Sequence, residues 1–151
     1  MQVDKSSLRL KFINKRRKLY STKNFFLFDK IFFLIEKNFP KKKPSIAGYY
    51  PSNFEVNILD FLSQANKKNF KVGLPVIKKD YKIDFKYWIP NEPLYVNKYG
   101  ILEPKKQNIT FKPDIILVPL VAFDRSLNRI GYGKGYYDRA LKQLSSNKKI
   151  L

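Results

Sequence analysis

Residues 113–139 read PDIILVPLVAFDRSLNRIGYGKGYYDR, and the fold is decided there. Ile115–Pro119 (IILVP) sets four aliphatic residues in succession with no polar alternation. Such a strand is buried on both faces, as inside a parallel sheet covered by helices on either side. The far end of the stretch has glycines at 131, 133 and 135, cations at 129 and 134, and a carboxylate at 138. Alternating glycines let a backbone approach a polyphosphate closely and turn successive N–H groups towards it. Tyr137, Ala140, Leu141 and Leu144 then recur at helical spacing from about Gly135 to Ser145, so a helix N-terminus brings its positive end to the same place.

A G-x-G-x-G run alone is weak evidence, because glycine-rich turns also serve as plain connections. The dinucleotide G-x-G-x-x-G and the Walker pattern are both absent: the spacing differs, and Tyr136 stands where Ser or Thr is needed.

Upstream, the pattern alternates strand and helix. Lys5 to about Tyr20 is a basic, mostly exposed helix with Asp4 or Ser6 available as N-cap. Phe25–Phe39 carries Leu27, Ile31, Leu34 and Ile35 at helical spacing and stops before Pro40. Ser45–Tyr50 reads as a strand, and Ser52-Asn53-Phe54-Glu55 fits a capping box opening a helix over about Glu55–Lys68. Lys71–Ile77 is the next buried strand, and a β-α-β crossover makes the pair parallel. Between Lys78 and Lys112, a strand around Ile83–Ile89 is followed by Pro90, Pro93, Gly100 and Pro104, which leave room only for short strands and loops. Lys148–Leu151 has the look of a strand beginning.

The 151 residues fit one domain, and no apolar run is long enough to span a bilayer or read as a signal sequence, so the cytoplasm is the expected compartment. With neither Cys nor His, disulfides, thiolate nucleophiles, imidazole bases and zinc-thiolate sites are excluded. Lys and Arg total 31 against 12 acidic residues, a net charge of +19 that favours anionic partners. The cations are scattered rather than clustered with aromatics, which argues against specific nucleic-acid binding; nonspecific binding would fall steeply with salt.

Pro113–Arg139 resembles the hallmark segment of the 5-formyltetrahydrofolate cyclo-ligase family, also called methenyltetrahydrofolate synthetase. Lys5-Ser6-Ser7-Leu8-Arg9 resembles its N-terminal K-x-x-x-R, Tyr49–Val56 its strand-to-helix segment with a Glu, Leu74-Pro75-Val76 its L-P-V strand, and Tyr99–Pro104 its G-I-x-E-P step. The matches fall in the family's order over nearly the whole chain. The resemblance implies a three-layer, Rossmann-like α/β domain with a largely parallel central sheet, of the kind shared with sugar-phosphate isomerases and CoA transferases. It implies ATP- and Mg2+-dependent closure of 5-formyltetrahydrofolate to 5,10-methenyltetrahydrofolate with release of ADP and phosphate.

Carried over residue by residue, the resemblance gives Lys134 and Arg129 the catalytic charge. ATP binding falls to Lys5, Arg9, Arg129, Ile130, Gly131, Tyr132, Gly133, Lys134, Gly135, Tyr136 and Tyr137. The folate, polyglutamylated or not, falls to Arg9, Tyr50, Glu55 and Tyr132–Tyr136, with Gly133, Lys134 and Gly135 shared. Asp138 becomes the magnesium ligand, a role suited to a hard oxygen donor. Each has a plainer reading beside it: Glu55 as a capping residue, Asp138 as a carboxylate favoured by a helix dipole, one of Tyr136 and Tyr137 as core, and Trp88 as core. A monomer is expected. Family members continue beyond the point equivalent to Leu151, so the expectation includes missing C-terminal strands, with a binding-only homologue as the alternative.

Overall fold

A computed structural model describes residues 4–20 and 28–144. The helices are α1 (Lys5–Leu19), α2 (Asp29–Asn38), α3 (Leu59–Lys67) and α4 (Tyr136–Leu144). The strands are β1 (Ile46–Ala47), β2 (Val72–Ile77), β3 (Ile83–Tyr87), β4 (Tyr95–Val96), β5 (Leu102–Glu103), β6 (Thr110–Phe111), β7 (Ile115–Ile116), β8 (Ala122–Phe123) and β9 (Arg129–Ile130).

The central sheet has the order β6-β3-β2-β1-β7. β1 runs parallel to β2 and β7, whereas β3 runs antiparallel to β2 and β6, so the sheet is mixed rather than largely parallel. The reason lies in connection length: β2 and β3 are joined by the short Lys78–Lys82 turn, which can only reverse the chain, while β1 reaches β2 through α3.

Neighbouring strand residues point to opposite faces. Ile46, Val72, Leu74 and Ile115 join Phe32 and Ile35 of α2 and Phe61, Leu62 and Ala65 of α3 in one core. Ala47, Phe85 and Ile116 join Ala140 of α4 in the other. Ile115 and Ile116 are 1% and 4% exposed, so the aliphatic run is buried on both faces, in three layers, as its composition requires. Asp114 fixes the entry to β7, accepting from the Ser45 amide at 2.9 Å and its hydroxyl at 2.9 Å. Pro75 lies past the last β1–β2 pair, Ala47↔Gly73, so its missing N–H falls where that ladder has ended.

Asp4 is the N-cap of α1, accepting from the amides of Ser6 and Ser7 at 3.0 Å each. The capping box at Ser52–Glu55 does not open a helix. Glu55 does reach back to the Ser52 amide at 2.7 Å, but Asn53 and Phe54 sit at φ 47° and 60°, left-handed values that close a turn. α3 therefore starts later, at Leu59, whose amide donates to the Asn57 side chain at 3.0 Å. Trp88 is core, 6% exposed. The expected helix start at Phe25, the last residue of the C-terminal helix and the strand at Lys148–Leu151 lie outside the described residues.

Candidate active site

β7 leads through Pro119 into the β8–β9 hairpin, an element the sequence reading did not anticipate. Its turn is closed by Asp124, which accepts from the Asn128 amide and side chain at 2.9 Å each, with Leu127 at φ 62°. β9 delivers the chain to Gly131, and α4 begins at Tyr136, so the glycines form the link between a strand and a helix N-terminus.

The loop needs its glycines. Gly133 sits at φ +97°, and a Cβ there would stand 3.3 Å from the Arg9 guanidinium carbon. Gly135 sits at φ +69°, with Arg139 2.7 Å from where a Cβ would be. Two of the loop's carbonyls meet protein cations: Arg9 Nε donates to the Gly131 carbonyl at 2.9 Å, and Arg139 Nη1 to that of Lys134 at 3.0 Å. Gly133 and Lys134 themselves are exposed. An outward-facing turn of this kind, backed by guanidiniums and opening on a helix N-terminus, fits a polyphosphate.

α1 lies against this loop, which changes the expected use of its basic face. Arg9 is half-buried and committed to the loop backbone, while Lys5, one turn earlier, is exposed. Arg16, two turns beyond Arg9 and overlooked in the sequence, donates to the carbonyls of Leu120 at 2.5 Å and Val121 at 2.9 Å, and to the Tyr132 hydroxyl at 3.0 Å. The seven-residue spacing from Arg9, which repeats a helix face, was the available signal.

Glu55 is buried, 5% exposed, and beside Tyr132. Burial raises its carboxyl above the ordinary value, opposed by hydrogen bonds from Ser52 and Tyr132 and by the Arg16 charge. Burial and the neighbouring Glu55 push the Tyr132 phenol up to about 12. Glu55 and Arg16 help wall a cleft of about 1110 Å³ with Tyr49, Phe61, Leu117 and Val118. This cleft opens beyond the carboxyl ends of β1 and β7, where ligands of open α/β sheets bind. Tyr49 rather than Tyr50 faces it, because one residue's shift along an extended chain changes the face. Tyr50 is half-buried outside the cleft wall.

On the loop's other side, Lys134 Nζ lies 3.4 Å from the centroid of the Tyr99 ring, and the Tyr99 and Tyr136 hydroxyls are 3.0 Å apart. Tyr137 is the core member of the tyrosine pair: its ring packs towards Phe85, and its hydroxyl is cut off from solvent with no hydrogen-bond partner among the described residues. Ile130 is half-buried in β9. Asp138 pairs with Arg129 Nη2. Among the described residues no group of three or more His, Cys, Asp or Glu gathers to hold a metal. A single carboxylate beside a polyphosphate site suits magnesium that arrives with a nucleotide, since that ion keeps waters and shares phosphate oxygens. The donor set fits that role and not an all-protein cage.

A sequence profile described as the 5-formyltetrahydrofolate cyclo-ligase family matches residues 1–150. A 5-formyltetrahydrofolate cyclo-ligase of Haemophilus influenzae is 36% identical over 109 residues, covering 68% of this chain and 58% of that protein, less than two thirds of its length. One from Mycoplasma pneumoniae is 32% identical over 95% of this chain and 80% of that protein. The solved structure of Aquifex aeolicus 5,10-methenyltetrahydrofolate synthetase is similar with a TM-score of 0.69 and 29% identity, covering 99% of this chain and 77% of that one.

Proposed function

The chain belongs to the 5-formyltetrahydrofolate cyclo-ligase family, and from that premise we propose that it converts 5-formyltetrahydrofolate to 5,10-methenyltetrahydrofolate with ATP. The formyl oxygen attacks the γ-phosphorus, the bond to the bridging oxygen breaks, and ADP leaves. N10 of the folate then attacks the activated formyl carbon, the C–O bond breaks, phosphate departs with that oxygen, and N10 loses its proton. Such a reaction asks the protein for alignment of the reacting atoms and stabilisation of phosphoryl charge, which a chain without Cys or His can provide.

The supporting observation is the Gly131–Gly135 turn, exposed at Gly133 and Lys134, with Arg129 at its entry. In this reading Lys134 and Arg129 stabilise the transferring phosphoryl group. The turn from Ile130 to Tyr137, with Lys5 and Arg9, holds the nucleotide. Magnesium would supply a second cation across the phosphates, with Asp138 as its protein ligand. Glu55 accepts from the amino-pyrimidine of the pterin, with Tyr49 in the place expected of Tyr50 and with Arg9, Tyr132 and Tyr136 around the folate. The finer architecture, Rossmann-like and related to sugar-phosphate isomerases and CoA transferases, belongs to the same proposal, as does a cytoplasmic monomer with no specific nucleic-acid partner. No helix of the described residues is long and apolar enough to cross a membrane.

The test is absorbance of the methenyl chromophore after mixing the chain with MgATP and 5-formyltetrahydrofolate. ATP-dependent appearance of the band supports the reading. Binding of both ligands by calorimetry with no band would leave a binding protein in its place.

A further inference from the structure

Tyr99 is held by a succession of contacts that starts in the core. Glu103 of β5 is 5% exposed, accepts from the Ile77 amide at 3.1 Å, and accepts from Asn97 Nδ2 at 3.2 Å. With its amide so anchored, Asn97 offers Oδ1 to the backbone N–H groups of Tyr99 at 2.9 Å and Ile101 at 3.2 Å. The turn is completed by the Gly100 amide on the Asn97 carbonyl at 3.0 Å, with Gly100 at φ +74° and open space where its Cβ would be, so glycine is needed for the backbone alone. The ring displayed by this turn is the one beneath Lys134, 3.4 Å from centroid to Nζ and well inside the ~6 Å reach of a cation–π contact. Its hydroxyl meets that of Tyr136 on α4, tying the turn to the far end of the glycine loop.

A lysine free in water must surrender the freedom of a long side chain when it engages an anion. Laid on a ring face, it has already surrendered much of that freedom and still carries its full charge on the open side. We propose that Tyr99 is a positioning residue for Lys134, its ring pre-ordering the ammonium for the phosphoryl group, and that Asn97 and Glu103 hold Tyr99 for that purpose. The proposal rests on the reading of Lys134 as the cation that meets the ATP phosphates.

Full-length Tyr99→Leu, Tyr99→Phe and Asn97→Ala are compared with the parent by two readouts: steady-state kinetics at the methenyl band, and the acylation rate of Lys134 by an amine reagent without ligands, followed by peptide mass spectrometry. Tyr99 is 37% exposed, so its replacement leaves the core intact, and thermal unfolding checks this. Tyr99→Leu is expected to raise the KM for ATP and the Lys134 acylation rate about three- to five-fold, the size of a surface cation–π contact. The KM for the folate shifts less than that for ATP, because the ring of Tyr99 carries Lys134 whereas it reaches the folate residues only through its hydroxyl on Tyr136. Tyr99→Phe keeps the ring and restores parental values in both readouts, and Asn97→Ala shifts both in the direction of Tyr99→Leu. Unchanged Lys134 acylation and KM in Tyr99→Leu overturn the proposal, and so does a fall in KM, which would make the ring a resting place that withholds the lysine. Should the parent form no methenyl product, the cyclo-ligase reading fails on that result, while the acylation rates still decide whether Tyr99 positions Lys134.

Discussion

The two flanks of the glycine loop carry the same pair of residue types, a tyrosine and a long cation, and put them to opposite uses. On the α1 flank, Arg16 donates to two backbone carbonyls and to Tyr132, beside buried Glu55. Every bond there is internal, and Arg16 is half-buried. On the α4 flank, exposed Lys134 lies over the face of the Tyr99 ring, which Lys98 also approaches, with its Nζ 5.2 Å from the centroid. A guanidinium is planar and weakly hydrated and suits fixed bonds to carbonyls, whereas an ammonium on a flexible stem keeps its hydration until an anion displaces it. The cation of one flank is therefore scaffold and that of the other is poised to react, although both look equally basic in sequence.

Removing the cation from each flank in turn separates their roles most visibly. Lys134→Ala is expected to lower kcat by about 10²–10³, the usual consequence of deleting a group aimed at transition-state charge, while the melting temperature holds. Arg16→Met is expected to do the reverse. Its loss strands the Leu120 and Val121 carbonyls and removes hydrogen bonds from a charged donor, lowering stability by about 2–3 kcal/mol, with activity per folded molecule largely kept. Urea unfolding beside single-turnover assays distinguishes the two, and an Arg16 variant that is stable but inactive would dissolve the division between the flanks.

A smaller effect sharpens the same contrast. Because burial raises the Glu55 carboxyl, the folded state binds this proton more tightly than the unfolded chain does. Stability from this group is then fully present below the ordinary glutamate value, about 4.3, and is lost as pH rises through the raised folded value. Glu55→Gln removes the titration, so the variant's stability relative to the parent should climb with pH over that window. Its KM for the folate should rise about tenfold through loss of a charged acceptor. Thermal unfolding across acid to neutral pH reads the first effect. A relative stability that declines with pH would mean that Arg16 outweighs burial and that this flank is more polar than its solvent exclusion implies.

Much of this was legible in the residues. The unbroken aliphatic run at Ile115 foretold a strand covered on both faces, and the residues after the glycines foretold a helix beyond Gly135. What escaped depended on contacts between distant segments. The 78–82 turn forces β3 antiparallel, a matter of connection length rather than composition. Glu55 formed the local contact of a capping box, yet Asn53 and Phe54 took left-handed values, and no propensity scale favours that for phenylalanine. The backbone and tyrosine partners of Arg9 and Arg16 could not be read because they lie more than a hundred positions away, at 131, 120, 121 and 132.

The smallest expected effect concerns Tyr137, which stands beneath both flanks. Its hydroxyl has no solvent access and no hydrogen-bond partner among the described residues, while burial, then Glu55 and Tyr49, raise its phenol. A buried polar atom left unsatisfied costs about 1–3 kcal/mol, whereas an apolar group of the same shape costs nothing comparable. Tyr137→Phe should therefore raise stability by up to about 1 kcal/mol, or about 2–4 °C in melting temperature for a domain of this size. Turnover should remain at the parental level if the hydroxyl is only core. If it instead meets a ligand that enters the cleft, the gain in the free protein persists, but kcat/KM falls about tenfold as that bond is lost. Melting curves with and without nucleotide and folate separate the two, since only in the second case does ligand stabilise the parent more than the variant, and the core beneath the loop would then count as part of the reactive side.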